Sequence, residues 1–297
     1  MNAREEGFLL LTSTLGDPNR RPLTTAQARN LAQRVAAAPR IAEDRHLECR
    51  DLMAMGYSME LAEHIVALLD DTVLLEHYLR RGTRLGCHVI SRVGEEYPQT
   101  IHSRLKLDAP GCLWMRGNRE LLKKPAVALV GSRDLRQDNL DFAKEVGRQA
   151  ARQGFVLRSG NARGADRAAQ DSCLEAGGEV ISIVADELEK YTPRGHILYM
   201  SEDGFDLPFS TQRALSRNRL IHCMGIRTFV AQCGYQHGGT WDGTVKNLRF
   251  GWSPVHCFRD GSASADLLQG MGAEGINLED LHDFTALNWL DFGFFDQ

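Results

Sequence analysis

From residue 126 onward the chain alternates short apolar runs with helix-patterned stretches, and few architectures tolerate that order. Ala126-Val127-Ala128-Leu129-Val130 is apolar at every position, as a strand covered on both faces must be. Further runs fall at 155–158, 179–184, 227–231 and 254–258. Helical patterns lie between them over 139–153, 163–176, 212–223 and 243–249, the first two stopped by Gly154 and by Gly177-Gly178. Adjacent parallel strands need a crossover of about a dozen residues, usually a helix. Five strands so spaced predict an α/β Rossmann-like fold, a doubly wound and mainly parallel sheet. Residues 187–209, with Pro193 and Pro208, read as one long connection.

The chain ahead of this alternation is helical in pattern. Thr24-Thr25-Ala26-Gln27 offers a capping-box start, followed by Leu31, Val35 and Ala38 at helical spacing. Residues 59–69 are strongly amphipathic, and a third helix follows over 72–81. His88-Val89-Ile90 and Leu113-Trp114-Met115 are strand candidates, with turns at Tyr97-Pro98, Ala109-Pro110 and Gly117-Asn118. The expected division is a small N-terminal helical domain (1–85), a Rossmann-like domain (86–280) and an aromatic, acidic tail (281–297).

Composition narrows the function. A net charge of −4 excludes a generally basic protein that coats nucleic acid, so any polyanion site must be local. The start Met1-Asn2-Ala3-Arg4-Glu5-Glu6 lacks a basic, apolar export signal, and a cytoplasmic location with no membrane association is expected. Seven scattered cysteines without a C-x-x-C pair read as free thiols. No histidine pairs with cysteine or carboxylate at a metal-ligand spacing, and neither a metal nor another cofactor is expected.

In an open parallel sheet, ligands collect beyond the carboxyl ends of the strands, where strand order reverses. Four turns are candidates for that rim. Gly131-Ser132-Arg133 follows the first strand and offers a close backbone approach, amides and a guanidinium. Ser159-Gly160-Asn161-Ala162-Arg163-Gly164-Ala165-Asp166 follows the second strand and opens a helix, which makes a phosphate nest. Ser216-Arg217-Asn218-Arg219 lies within a helix, and its two arginines cannot both enter an apolar core. His237-Gly238-Gly239-Thr240 opens the last helix with further amides and a hydroxyl. Each has a plain structural alternative: a tight turn, a salt-bridged helix face or a Gly-rich connection. Ser132 and Ser159 have no histidine close in sequence, and no catalytic residue is expected.

Taken in order, Gly131-Ser132-Arg133, Ser159-Gly160-x-Ala162-x-Gly164-x-Asp166, Ser201-Glu202, Arg217-Asn218-Arg219 and Gly239-Thr240 resemble the DprA (Smf) family of DNA-processing proteins. The resemblance covers most of residues 90–275, and the preceding helices look like that family's N-terminal module. It implies a non-enzymatic, homodimeric protein that binds single-stranded DNA and helps load a RecA-type recombinase. It also implies strand-binding roles for Arg133, Arg217 and Arg219, and for Arg194 after Tyr191-Thr192-Pro193. Departures from the family pattern are Gln170 in place of histidine, Gln232-Cys233 ahead of the late glycine turn, no proline before Arg217, and an aromatic tail where many members carry a winged helix. Phe209 or Tyr235 is expected to stack bases.

Two other readings use the same residues. One is a nucleotide sensor or phosphoribohydrolase, although Trp241-Asp242-Gly243-Thr244 stands where such an enzyme would place a glutamate. The other is a toxin-binding or phage-defence component that uses the tail as a partner hook.

Overall fold

The computed structural model describes residues 1–38 and 47–287. Five helices come first: α1 (Ala3–Thr12), α2 (Thr25–Ala37), α3 (Cys49–Ala54), α4 (Met59–Asp70) and α5 (Thr72–Arg84). The capping box expected at Thr24 forms, since its hydroxyl accepts from the Gln27 amide while the Gln27 side chain accepts from the Thr24 amide. Leu31, Leu52, Ala62, Ile65 and Leu68 close a small core between α2, α3 and α4.

The rest of the chain builds one sheet. Its elements are β1 (Cys87–Ser91), α6 (Gln99–Leu105), β2 (Cys112–Gly117), β3 (Ala126–Val130), α7 (Gln137–Arg152), β4 (Val156–Ser159), α8 (Ala165–Glu175) and β5 (Glu179–Ile183). They continue with β6 (Ile197–Glu202), α9 (Thr211–Met224), β7 (Thr228–Val230), α10 (Gly239–Phe250), β8 (Val255–Phe258), α11 (Ala263–Gly270) and β9 (Glu274–Ile276). The nine strands lie in the order β1-β2-β6-β5-β4-β3-β7-β8-β9. From β6 across to β9 every pairing is parallel, while β2 pairs antiparallel with β1 and with β6.

The doubly wound sheet read from the sequence is therefore present, with two strands, β6 and β9, beyond the seven expected. Residues 187–209, read as a connection, contain β6, which pairs in parallel with β5 from Val180↔Ile197 to Ile183↔Met200. Its signal was weak because no crossover helix precedes it, only a single tight turn over Leu188–Lys190. The second, β9, is three residues long with a glycine at its centre, too short to show a period.

Two apolar layers cover the sheet. On one face Phe142, Ala143, Val146 and Ala150 of α7 and Ala165, Ala169 and Cys173 of α8 pack on Val127, Leu129 and Leu157. On the other, Leu220, Ile221 and Cys223 of α9 pack on Ala128, Val130 and Ile181. β3 is buried at all five positions, as its unbroken apolar run required. The helical segment joins the sheet through a third cluster in which Leu9, Leu10, Leu75 and Tyr78 meet Trp114 and Phe205. Tyr78, Trp114 and Phe205 form a ring triad with centroids 4.7–5.2 Å apart.

All seven cysteines are free, and six are buried. Among the described residues no helix is long and apolar enough to cross a membrane. Phe284 and Leu287, at the start of the expected tail, pack beneath β7 and α7. The remainder of that tail, 288–297, lies outside the described residues.

Candidate nucleic-acid interface

Strand order reverses between β3 and β7: the chain runs outward from β3 through β4, β5 and β6, then returns to place β7, β8 and β9 on the other side. Because these strands are parallel, the turns after β3, β4, β5 and β7 share one rim, and the reversal opens a crevice between them.

The turn after β3 is tied to the turn after β7. Ser132 donates its amide and its hydroxyl to the Gln232 carbonyl, at 2.9 and 3.2 Å, and the Gln232 side-chain oxygen accepts from the Arg136 amide at 3.0 Å. Gln232, one of the departures from the family pattern, thus acts as a neutral brace. Arg133 projects to solvent without an ion-pair partner among the described residues.

The turn after β4 contains two backbone positions that favour glycine or asparagine, Asn161 at φ 60° and Gly164 at φ 89°. At 164 a Cβ would also collide with the Ser132 and Arg133 carbonyls, so glycine lets this turn lie against the first. The Ala165 amide donates to the Ser132 carbonyl at 3.2 Å, which locks the N-terminus of α8 against the β3 turn. Arg163 pairs with Asp134 at 2.7 Å, an exposed contact that contributes about 0–1 kcal/mol and is open to exchange.

The two arginines of Arg217-Asn218-Arg219 face opposite ways. Arg217 is buried beneath the rim, 6% exposed, and donates to the Ile183 carbonyl at 2.7 Å. It lies so close to Gly160 that any side chain there would overlap it. Burial lowers the Arg217 pKa, and the field of buried Asp166 opposes that shift. Burial correspondingly raises the Asp166 carboxyl, opposed by Arg217 and by hydrogen bonds including the Ala162 amide at 3.2 Å. Among the described residues the Arg217 Nε has no hydrogen-bond partner, although the side chain lines the crevice.

Arg219 instead grips buried Glu202 in a two-pronged pair, at 2.6 and 3.3 Å, and donates its Nε to the Asp108 carbonyl at 3.0 Å. It braces α9 to β6 on the side away from the rim. Asn218, between them, donates to the Gly239 carbonyl at 3.0 Å and so positions the N-terminus of α10.

These groups line two adjoining clefts of about 520 and 270 Å³. Arg133, Ala162, Phe209 and Arg217 line both. Phe209, expected as a stacking surface, is 52% exposed on that shared wall. The larger cleft reaches Ser132, Asn218, Gly239 and Thr240; the smaller holds Gly160, Asn161 and Arg163, with Tyr191. Ten of the fourteen expected binding residues line one or both clefts, Gly131 and Gly160 by backbone only; Ser159, Gly164, Arg194 and Arg219 line neither. Ser159 is fully buried below the rim and Gly164 shapes the turn without lining either cleft. Arg194 is exposed on the connection leading to β6, outside both clefts.

The carboxylates of the clefts are largely engaged. Asp134 meets Arg163, Asp186 meets Lys190 at 2.8 Å, and Asp166 sits in the field of Arg217. Arg133 is left as an uncommitted cation, beside the amide-rich N-termini of α8 and α10. Such an arrangement favours an anion. Tyr191 and Gln232 were not legible as site residues, because their roles arise from strand order and not from a local motif.

A model of the family described as DNA recombination-mediator protein A matches residues 88–247, more than half of the chain. The chain belongs to the DNA recombination-mediator protein A family. Two curated members of known name resemble it. DNA processing protein DprA of Streptococcus pneumoniae (strain ATCC BAA-255 / R6) is 36% identical over 89 residues, covering 30% of this chain and 31% of that protein. Protein Smf of Escherichia coli (strain K12) is 24% identical over 209 residues, covering 67% of this chain and 55% of that protein. These matches therefore span about a third and about half of the curated relatives' lengths. The fold extends further than the sequence identity. The X-ray structure of DprA from Streptococcus pneumoniae superposes with a TM-score of 0.72 at 22% identity, over 95% of this chain and 98% of that one. A Helicobacter pylori DNA processing protein A, described for its single-stranded DNA binding mode, superposes with a TM-score of 0.55 at 21% identity, over 66% of this chain and 94% of that one. In this member of the recombination-mediator family, the matched region includes all four turns of the rim.

Proposed function

We propose that this protein binds single-stranded DNA along the rim at the β3/β7 reversal and acts by holding the strand, not by catalysis. The observation that carries this reading is the convergence of exposed Arg133 and two helix N-termini on clefts whose shared wall is exposed Phe209. Backbone phosphates would meet Arg133 and the amides of Gly131, Asn161, Gly239 and Thr240, while a base stacks on Phe209. Phosphate contacts carry no sequence information, so binding is expected to be weakly sequence-dependent and strongly salt-dependent.

The family membership supports a role in DNA processing and recombination. Handover of the strand to a RecA-type recombinase, and action as a homodimer, belong to the same proposal. Titration of labelled single strands, duplexes and nucleoside monophosphates tests it. Single strands should bind tightest, and Arg133→Ala should weaken unrelated sequences about equally. Release of free base from a mononucleotide, or equal affinity for duplex, would overturn it.

A further inference from the structure

A third cleft, of about 960 Å³, opens on the other side of α9 and α10 and is closed by α2 of the helical segment. It is continuous with the rim, because Leu215 and Gly239 line both this cleft and the larger rim cleft. Its far wall carries Phe250, 58% exposed, with one side stacked on Trp252 at 5.7 Å and 18° and the Arg249 guanidinium 5.5 Å from the ring centre. Leu107 and Leu215, 49% and 46% exposed, lie on the same cleft. Large side chains left this open along one track mark a surface that another molecule covers.

We infer that the strand-binding surface continues past the rim into this cleft, where bases of a single-stranded nucleic acid stack on Phe250. The inference rests on the reading of the rim as a strand-binding site. Its occupant follows from continuity: a chain leaving Phe209 passes Leu215 and arrives at Phe250, so exposed apolar surface recurs along the path.

The charges define what kind of contact this is. Arg29 on α2 and Lys246 on α10 have no ion-pair partner among the described residues, and Arg219 is committed to Glu202. Asp108, Asp203 and Asp242 also line the cleft and offset the two free cations. The extension therefore holds bases by stacking and adds little phosphate neutralisation. It lengthens the binding site while leaving the salt dependence almost unchanged, and it makes the helical segment part of the DNA path.

Fluorescence anisotropy of the full chain with oligothymidylates of about 4 to about 16 nucleotides, at two salt concentrations, tests this. Affinity should rise in two steps with length. Phe250→Ala should remove the second step, a loss of about five-fold or more for the longest strands, and Phe250→Trp should keep it. The shortest strands should bind Phe250→Ala as well as the unchanged protein, with the same salt slope. Long strands binding Phe250→Ala at full affinity, or a second step that steepens the salt slope by more than about one phosphate contact, would overturn the inference. Arg133→Ala separates the two proposals: it should weaken every length, and if it weakens none the rim reading itself fails.

Discussion

Replacing Arg219 with methionine keeps the aliphatic stem but removes the guanidinium that grips Glu202 at 2.6 and 3.3 Å. Glu202 is 3% exposed, so its carboxylate would be left nearly dry, with Arg213 as a more distant cation acting on it. Removing one partner of a buried pair costs about 3–5 kcal/mol. The lower end applies here, because the Arg219 end of the pair is partly exposed, at 20%. For chains of this size each kcal/mol shifts Tm by about 2–4 °C, so a loss of about 3 kcal/mol gives a fall of about 6–12 °C. Differential scanning fluorimetry at neutral pH measures it. Because Arg219 faces away from the rim clefts, short single strands should still bind the folded variant with less than about a two-fold change. Arg219→Met combined with Glu202→Leu should recover much of the lost stability. An unchanged Tm together with lost binding of short strands would refute the assignment and return Arg219 to the rim.

Arg133→Ala should leave Tm unchanged, since the exposed side chain has no ion-pair partner to lose among the described residues, and should lower the slope of log affinity against log salt by about 0.7. Phe209→Ala should weaken single-strand binding by about 1–3 kcal/mol in the same titration. Gly164→Ala must adopt φ 89° and collide with two carbonyls, so denaturant unfolding should show a loss of more than about 1 kcal/mol, with weaker strand binding as the α8 terminus shifts. Burial pushes the His222 imidazole down to about 3, so the folded protein keeps it neutral while the unfolded chain protonates it near 6.5. Stability from this group is intact above pH 6.5 and falls by about 1.4 kcal/mol per pH unit below it, towards pH 3. Unfolding curves of His222→Phe should lack that component.

The central strands were legible because a strand covered on both faces must be apolar throughout, and 126–130 shows that without alignment or context. β6 was not, because only a single tight turn and no crossover helix separates it from β5, which breaks the strand-helix alternation there. The four turns could be read as anion-seeking from composition, since glycine and helix starts are local signals. The division of labour between Arg217 and Arg219 was also in reach. Residues two apart on a helix point to opposite sides, so one could face the rim only if the other did not. What no pattern could supply was which of the two lay buried, because that depends on Asp166 arriving from α8 and Glu202 from β6.

The ring triad of Tyr78, Trp114 and Phe205 spans three distant stretches of chain, from α5, β2 and the loop after β6. A chain trimmed to begin at residue 86 would present Trp114 and Phe205 to water and lose the Tyr78 hydroxyl contact to Asp206 at 2.7 Å. Such a fragment would be sticky and prone to self-association even if its sheet assembled. The same weld implies that heating melts helices and sheet in one transition, so calorimetry should record a single peak where two loosely tethered bodies would give two.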